Sequence, residues 1–256
     1  MRAALIGGAS KGLGYGCALA LAKSGHTVVM CARHKEELEA ASKSVASESR
    51  SCAIAVACDL STPEAISEIT RTLEANQLEI DVLISNVGGP KPGTVTELSE
   101  ADWETGLDLL FRSTLRLYGL VLPNMRRKKW GRIINILSTV AVEPAPFLAI
   151  SSVLRSALAT YSKLLSKAVA SDGITVNSIM PGGFLTARTE ALEKEVATRE
   201  GLPIEAVRKR VASNIPIGRM LSTDELGAFV SYLASDNAGG VTGTLLPFDG
   251  GQMTTV

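Results

Sequence analysis

Short apolar segments alternate with longer amphipathic segments along the whole chain. Seven of the apolar segments have the length and composition of β-strands: Ala3–Gly7, Thr27–Ala32, Cys52–Ala57, Ile80–Ser85, Arg132–Leu137, Ile174–Ile179 and Thr244–Pro247. They are apolar nearly throughout, which is expected of strands that helices cover on both faces. The alternation predicts βαβ units, and hence a doubly wound parallel sheet of seven strands with helices on both faces.

Polar residues mark the starts of several predicted helices. Thr62 followed by Pro63 predicts an N-cap and a proline in the first helical turn. The segment Ser222–Glu225 predicts a capping box, in which the side chains at the two ends satisfy each other's backbone amides. The segment Ser99–Asp102 is a weaker version of the same pattern.

The charged segment 185–216 does not fit the alternation, and we predict two short helices there. Ligands bind beyond the carboxyl ends of the strands in an open α/β sheet, so a helical segment after the strand ending at Ile179 is expected to be a substrate lid. Phe184, Arg188, Glu190 and Met220 are the candidates for meeting a substrate there. The alternative is a solvated helical excursion without a role.

Composition excludes several classes of function. The 256 residues contain 26 basic and 26 acidic side chains, so neither nucleic acid nor an anionic membrane is an expected partner. Only two histidines and four cysteines without a CxxC pair are present, so no metal site is expected. We find no internal repeat or linker and no apolar segment of about 20 residues. A single domain over residues 1–256 is therefore expected, in a cytoplasmic protein without a signal peptide.

A glycine-rich loop follows the first predicted strand. It consists of Gly8, Ala9, Ser10, Lys11, Gly12, Leu13 and Gly14, and a helix is expected to begin at about Gly12. Such a loop lets backbone N–H groups approach a pyrophosphate at the helix N-terminus. Its position at the head of a βαβ unit predicts a Rossmann-type dinucleotide site.

The end of the second strand indicates which dinucleotide is bound. NAD enzymes usually place a carboxylate there for the ribose 2′-hydroxyl, whereas this chain reads Met30-Cys31-Ala32-Arg33. The planar cation of Arg33 suits a 2′-phosphate, and Lys11 can add a second charge. We therefore expect NADP(H). The alternative is that Arg33 is a solvated residue at the start of the second helix.

Further motifs follow the later strands at regular positions: Asp59-Leu60, Asn86-Val87-Gly88, Ser138, Pro181-Gly182 and Asp249-Gly250-Gly251. With the glycine loop, they make the whole chain resemble a short-chain dehydrogenase/reductase of the β-ketoacyl-acyl-carrier-protein-reductase-like group. The resemblance implies that Asp59 and Leu60 lie by the adenine and that Asn86, Val87 and Gly88 line the cofactor. It also implies that Pro181 and Gly182 line the nicotinamide pocket.

The catalytic positions depart from that resemblance. The family works through Asn, Ser, Tyr and Lys, and alignment retains only the serine, Ser138. Leu110 stands at the Asn position, Ser151 at the Tyr position and Arg155 at the Lys position. The nearest tyrosine, Tyr161, lies about 15 Å further along the same helix at 1.5 Å per residue, so we predict a packing role for it.

The replacements change the chemistry. A serine hydroxyl is a far weaker acid than a tyrosine, and an arginine stays protonated, so neither replaces the family's proton donor. Losing acid–base assistance costs a factor of about 10²–10⁴ in rate. Ser151 and Arg155 are nevertheless one helical turn apart, and with Ser138 they can form a small anion- or carbonyl-binding group. These three are the candidate catalytic residues.

Three functions remain open. The first is an NADP(H)-dependent oxidoreductase of a small-molecule carbonyl or hydroxyl group, with the proton coming from water or from the substrate. The second is a non-catalytic NADPH-binding or scaffold protein. The third is a non-redox lyase or dehalogenase-like enzyme, by analogy with halohydrin dehalogenases, which also carry an arginine at this position. The Ala-, Leu- and Ser-rich helix from about Leu148 to Ser171 forms a subunit seam in the resembling family, so a homotetramer is expected.

Overall fold

The computed structural model describes residues 2–255, apart from the side chains of Arg188, Ala191, Leu192 and Glu195. It contains one parallel sheet whose strands lie in the order β3-β2-β1-β4-β5-β6-β7. These strands are β1 Ala3–Gly7, β2 Thr27–Ala32, β3 Ala53–Ala57, β4 Ile80–Ser85, β5 Gly131–Ile136, β6 Ile174–Pro181 and β7 Leu245–Phe248. All seven predicted strands are confirmed: β1, β2 and β4 have the predicted ends, and the ends of the other four shift by one or two residues.

Nine α-helices connect and cover the described strands. They are α1 Gly12–Lys23, α2 Lys35–Ser49, α3 Glu64–Ala75, α4 Glu100–Gly106, α5 Ser113–Lys128, α6 Ala149–Val169, α7 Ala187–Glu200, α8 Ile204–Ser213 and α9 Thr223–Leu233. A π-helical turn at Leu107–Arg112 joins α4 to α5, and 3₁₀ turns lie at Thr139–Ala141, Ala170–Asp172 and Asp236–Ala238. The segment 185–216 forms the two predicted short helices, α7 and α8. The fold is therefore a doubly wound, Rossmann-type α/β fold.

The hydrophobic core lies on both faces of the sheet. Successive side chains of a strand point to opposite faces, so Ile6 packs in one layer and its neighbour Leu5 packs in the other. Helices α1 and α9 cover the first layer, and α3 and α5 cover the second. This two-sided burial explains why the strands are apolar at nearly every position.

Capping side chains fix two of the predicted helix starts. The Ser99 and Asp102 side chains form a reciprocal capping box at the start of α4, and Ser222 and Glu225 form another at α9. The prediction for Thr62 was wrong. Pro63 occupies the N-cap position of α3, and the Thr62 hydroxyl donates instead to the Asp59 carbonyl at 3.1 Å. The turn that follows β3 therefore takes the hydroxyl that a cap would have used.

The carboxyl ends of the strands meet at one edge of the sheet. The strand order reverses between β1 and β4, which are direct neighbours. At such a reversal the connections leave to opposite faces and a crevice opens.

Within residues 2–255, no helix is long and apolar enough to cross a membrane. In the same part of the chain, no group of three His, Cys, Asp or Glu side chains is placed to hold a metal ion.

Candidate active site

The loop between β1 and α1 has a tight backbone path that only glycine permits. Gly8 and Gly12 adopt φ angles of +57° and +59°, in the left-handed region. A Cβ on Gly14 would lie 2.2 Å from the carbonyl oxygen of Gly8. The side-chain amide of Asn86 donates to the Gly7 carbonyl at 3.0 Å and ties the loop to the end of β4.

The N-terminus of α1 fits an anionic ligand. The helix begins after Lys11, whose side chain makes no capping hydrogen bond. The first-turn N–H groups of a helix have no partners within the helix, and its dipole favours negative charge there. A close-packed glycine loop beside such N–H groups is what a pyrophosphate requires.

The ends of β2 and β3 carry opposite charges. The Arg33 side chain is exposed just beyond β2, and Asp59 lies just beyond β3. Burial favours the neutral form of Asp59, but Ser61 donates to Oδ1 from its hydroxyl at 2.7 Å and its amide at 3.0 Å. Together with the Arg33 charge, these bonds hold the pKa of Asp59 below its usual range. Lys11 forms an exposed ion pair with Glu37 at 3.2 Å.

A cleft of about 470 Å³ opens at the carboxyl edge of the sheet. It collects residues from the loops after β1, β4, β5 and β6, from α6 and from α7. Of the predicted site residues, it is lined by Gly8, Lys11, Gly12, Leu13, Asn86, Val87, Gly88, Ser138, Ser151, Arg155, Pro181 and Gly182. Ser10, Gly14, Arg33, Asp59 and Leu60 do not line it. Ser10 and Gly14 belong to the glycine loop, and the other three lie at the ends of β2 and β3.

Ser138 follows β5 and starts a short turn. Its hydroxyl oxygen accepts a long hydrogen bond from the amide of Val140 at 3.4 Å. The side chain is half-buried and lines the cleft. The turn thus orients Ser138 at the carboxyl end of a central strand, where this fold places ligands.

Ser151 and Arg155 lie one turn apart on α6 and are directly bonded. The Arg155 Nε donates to the Ser151 hydroxyl oxygen at 3.1 Å. The Arg155 Nη1 donates to the carbonyl oxygens of Ile136 and Leu137 at 3.0 and 2.8 Å. The arginine is 7% exposed, so its charge sits against the carboxyl end of β5. It therefore anchors α6 to the strand that carries Ser138.

Leu110 fills the position where the resemblance implies an asparagine. It is fully buried in the π-helical turn and packs with Ile150 and Leu154 of α6. Its carbonyl oxygen accepts a hydrogen bond from the Thr114 hydroxyl at 2.8 Å. The side chain contributes packing, and it has no polar atom to hold a water.

The ring of Tyr161 stacks on an aromatic neighbour. Its centroid lies 5.9 Å from that of Tyr118, with Phe111 edge-on at 6.0 Å. Tyr161 does not line the cleft. The predicted packing role agrees with this geometry.

Nine lining residues were not predicted as site residues from the sequence: Gly89, Pro90, Lys91, Ile136, Leu137, Leu148, Thr186, Ala187 and Thr189. Thr186 caps α7 by accepting the Thr189 amide at 3.3 Å, so a Thr-x-x-Thr capping pattern before a helix is the signal for these two threonines. The Thr186 side chain lies 3.7 Å from the point where a Cβ on Gly12 would stand. The start of α7 therefore approaches the glycine loop.

The candidate lid residues separate into two groups. Phe184 lines the cleft. Glu190 instead pairs with Lys194 at 2.9 Å, and Met220 is buried outside the cleft lining. The side chain of Arg188 lies outside the part of the chain that the structure describes.

A second cavity, of about 590 Å³, lies between α6 and the last two strands. Its lining includes Ser162, Lys163, Leu164 and Gly243. Neither the glycine loop nor Ser138, Ser151 or Arg155 lines it, so this cavity is separate from the candidate active site.

Comparison with known proteins agrees with this geometry. The sequence model of the family described as enoyl-(acyl-carrier-protein) reductase matches residues 8–253. The NADPH-dependent reductase BacG of Bacillus subtilis is 28% identical, over 100% of this chain and 99% of the relative. The 3-oxoacyl-(acyl-carrier-protein) reductase FabG of Escherichia coli is 29% identical, over 97% of this chain and 96% of the relative.

A solved structure matches the fold over the full chain. L-sorbose reductase from Gluconobacter frateurii, solved with NADPH and L-sorbose, has a TM-score of 0.95 and 31% identity, covering 100% of this chain and 97% of that one. Together with the parallel sheet, the glycine loop and Ser138, these matches define the class. The chain belongs to the short-chain dehydrogenase/reductase superfamily, as a relative of the ketoacyl reductases, and is an oxidoreductase of that type.

Proposed function

We propose that the chain is an NADP(H)-dependent oxidoreductase of a small-molecule carbonyl or hydroxyl group that obtains its proton without a tyrosine. The observation that carries this proposal is that the glycine loop opens into the same cleft as Ser138 and Ser151. A nucleotide site and a pair of hydroxyl groups that can hold a carbonyl oxygen therefore share one space. Reductases crystallised with NADPH have the same fold over the full chain.

The residues present fit the cofactor. The loop glycines Gly8, Gly12 and Gly14, with Ser10 and Leu13, leave space for a pyrophosphate at the start of α1. Arg33 and Lys11 supply the cations for a 2′-phosphate, and Asp59 and Leu60 border the adenine side. The nicotinamide half lies along Asn86, Val87, Gly88, Pro181 and Gly182. When bound, NADP(H) supplies or accepts the hydride.

The hydroxyl groups of Ser138 and Ser151 orient the substrate oxygen. A hydroxyl can donate one hydrogen bond and accept two. Since Ser151 already accepts from Arg155, its own proton remains available to donate into the cleft. The buried charge of Arg155 behind Ser151 favours a developing negative charge on the substrate oxygen. The guanidinium does not release a proton, so water in the cleft is the proposed proton source.

The non-catalytic alternative rests on one observation. Arg155 uses Nη1 on the carbonyls of Ile136 and Leu137, where it anchors α6 to β5. A catalytic position of the family is thus occupied by a residue with a structural role. A protein that binds NADPH without turning over a substrate fits this arrangement.

The lid and the assembly complete the proposal. Residues 185–216 act as the substrate lid, because Thr186 and Thr189 at its start line the cleft beside the glycine loop. The chain 1–256 works as one dinucleotide-binding and catalytic domain. It assembles as a homotetramer through the outer face of α6, which exposes Val153, Tyr161 and Leu164.

Titration with NADPH and NADH, followed by a panel of carbonyl compounds, tests the proposal. The panel is run on the wild type and on the double variant Ser151→Tyr/Arg155→Lys. NADPH binding with wild-type turnover supports a reductase with another proton source. NADPH binding with turnover only in the double variant supports the non-catalytic alternative. No dinucleotide binding would contradict both.

A further inference from the structure

The charged side chains that line the cleft have one sign. Among the described lining residues they are Lys11, Lys91 and Arg155, and there is no aspartate or glutamate. Glu37 and Asp102, which pair with Lys11 and Lys91, lie outside the lining, so the charged groups that face the cleft itself are positive and suit a ligand of the opposite sign. Lys11 belongs to the glycine loop, and Arg155 binds the carbonyls at the end of β5. Of these three, Lys91 is the cation that neither the proposed cofactor site nor the Ser151–Arg155 pair uses.

Lys91 lies next to the residues that lead into Ser151. Its loop follows β4 and is bridged to the segment before α6. The Gly93 amide donates to the Phe147 carbonyl at 2.8 Å, and the Ala149 amide donates back to the Gly93 carbonyl at 3.3 Å. Ser151 lies in the first turn of α6, so this bridge ties the Lys91 loop to the start of that helix, and both residues line the same cleft.

The ammonium group of Lys91 is held in place before any ligand binds. It donates to both oxygens of Asp102, at 2.9 and 3.0 Å. Asp102 also accepts the amide and hydroxyl of Ser99, at 3.0 and 2.8 Å. The hydrogen bonds from Lys91, and then those from Ser99, lower the pKa of Asp102 to about 2. The carboxylate therefore remains charged and keeps its ion pair with Lys91.

A fixed lysine is suited to a ligand anion. An ammonium group has three N–H donors, and Asp102 supplies two acceptor oxygens. Binding a second anion therefore requires little further ordering of the side chain, which lowers the entropic cost of association. The Lys91 side chain is 63% exposed, so a ligand can reach it from the solvent.

We infer that the substrate is an oxo acid, whose carbonyl lies at Ser138 and Ser151 and whose carboxylate binds Lys91. This inference rests on the proposed oxidoreductase function and names its substrate class. Lys91 is a specificity-determining residue in it. The carboxylate gains a charge-assisted hydrogen bond, which a neutral ester of the same shape cannot form as strongly.

The test compares oxo acids with their methyl esters by calorimetric binding. The protein is saturated with NADP⁺, which cannot deliver a hydride, so no turnover occurs. The probes are 4-oxopentanoate and 5-oxohexanoate, and each is compared with its methyl ester. The proteins are the wild type, Lys91→Gln, Lys91→Arg and, as the control at an exposed residue of α2, Lys43→Gln.

In the wild type the acid is expected to bind more tightly than the ester, and salt weakens this preference. Lys91→Gln lowers acid affinity about tenfold, in line with one charge-assisted bond, and leaves ester affinity unchanged. Lys91→Arg and Lys43→Gln retain the preference.

Two results would overturn the inference. One is equal binding of acid and ester by the wild type. The other is an equal loss of both in Lys91→Gln, which would give Lys91 a role in the shape of the wall or in proton delivery. If NADP⁺ itself does not bind, the proposed oxidoreductase function fails, and the same acids are then titrated against the protein alone. Absence of acid binding there overturns the anion site independently.

Discussion

Arg155 donates a hydrogen bond from Nε to the hydroxyl oxygen of Ser151 at 3.1 Å. The two residues that replace the family's tyrosine and lysine are therefore one bonded unit. The same guanidinium holds the carbonyls of Ile136 and Leu137 at the end of β5. Any change at Arg155 acts on the fold and on the cleft together, so stability and binding must be measured side by side.

Arg155→Met is expected to destabilise the protein by about 1–3 kcal/mol, because it leaves two buried carbonyl oxygens without their donor. Ser151→Ala is expected to cost less, about 0.5–1.5 kcal/mol for one hydrogen bond. The measurement is urea unfolding followed by circular dichroism. Lys167→Met, at an exposed lysine of the same helix, is the control and should stay within about 0.5 kcal/mol of the wild type. Equal stability of Arg155→Met and the control would show that the bonds to β5 contribute little.

Gly14→Ala is expected to abolish dinucleotide binding and to lower the melting temperature. Its Cβ would stand 2.2 Å from the Gly8 carbonyl oxygen, so the glycine loop must open to accept it. Gly240→Ala is the matched control, because Gly240 is exposed and lies outside the cleft lining, a Cβ there meets nothing within 4 Å, and its φ lies outside the left-handed region. Its melting temperature should equal that of the wild type. A loop that tolerated Gly14→Ala without loss of binding would contradict the pyrophosphate assignment.

The strands and the glycine loop were predictable because their signals are local. Ile6 and Leu5 are both buried, on opposite faces of the sheet, so an uninterrupted apolar segment identifies a covered strand. The reciprocal caps at Ser99 and Ser222 also lie within four residues of chain. Thr62 shows the limit of such patterns, since the preceding turn takes its hydroxyl.

The interactions of the cleft depend on contacts between distant segments. Arg155 donates to carbonyls at the end of β5, almost twenty residues earlier in the chain. No local sequence pattern predicts such a backbone acceptor. Lys91 owes its position to Asp102 and to the bridge between Gly93 and Leu148. Alignment positions identified Ser138, Ser151 and Arg155 as candidates. Only the folded chain shows how Arg155 is held.

Arg33→Gln is expected to weaken NADPH binding about ten- to hundredfold, which corresponds to the loss of one hydrogen bond to a charged group. NADH lacks the 2′-phosphate, so its affinity should change by less than about twofold if Arg33 recognises that phosphate alone. Fluorescence titration with both cofactors measures the ratio. Lys35→Gln, two residues further on and exposed, serves as the control. An equal loss for NADPH and NADH would place Arg33 outside the phosphate site.

The cysteines are expected to react in a fixed order with iodoacetamide at pH 8. Burial raises the pKa of Cys17 to about 12, whereas Cys52 is exposed. The reactive thiolate is then roughly two-thousandfold scarcer at Cys17 than in an ordinary thiol of pKa near 8.5. Peptide mass spectrometry should find Cys52 modified first and Cys17 modified only after unfolding. Rapid labelling of Cys17 in the folded protein would mean that α1 opens locally.

Leu164→Arg is expected to convert the proposed tetramer into smaller species. Leu164 is 63% exposed on the outer face of α6, close to the exposed ring of Tyr161. Contiguous apolar residues on a protein surface mark an interaction site, and burying a leucine side chain contributes about 1.5–3 kcal/mol. A charged group inserted at a two-fold contact also meets its own copy, so the penalty is counted twice in each interface. Light scattering at micromolar concentration measures the mass. Leu202→Arg, at an exposed leucine in the turn between α7 and α8, controls for added charge and should leave the mass unchanged. A monomeric wild type would contradict the assembly, and a tetramer that survived Leu164→Arg would move the interface off this face of α6.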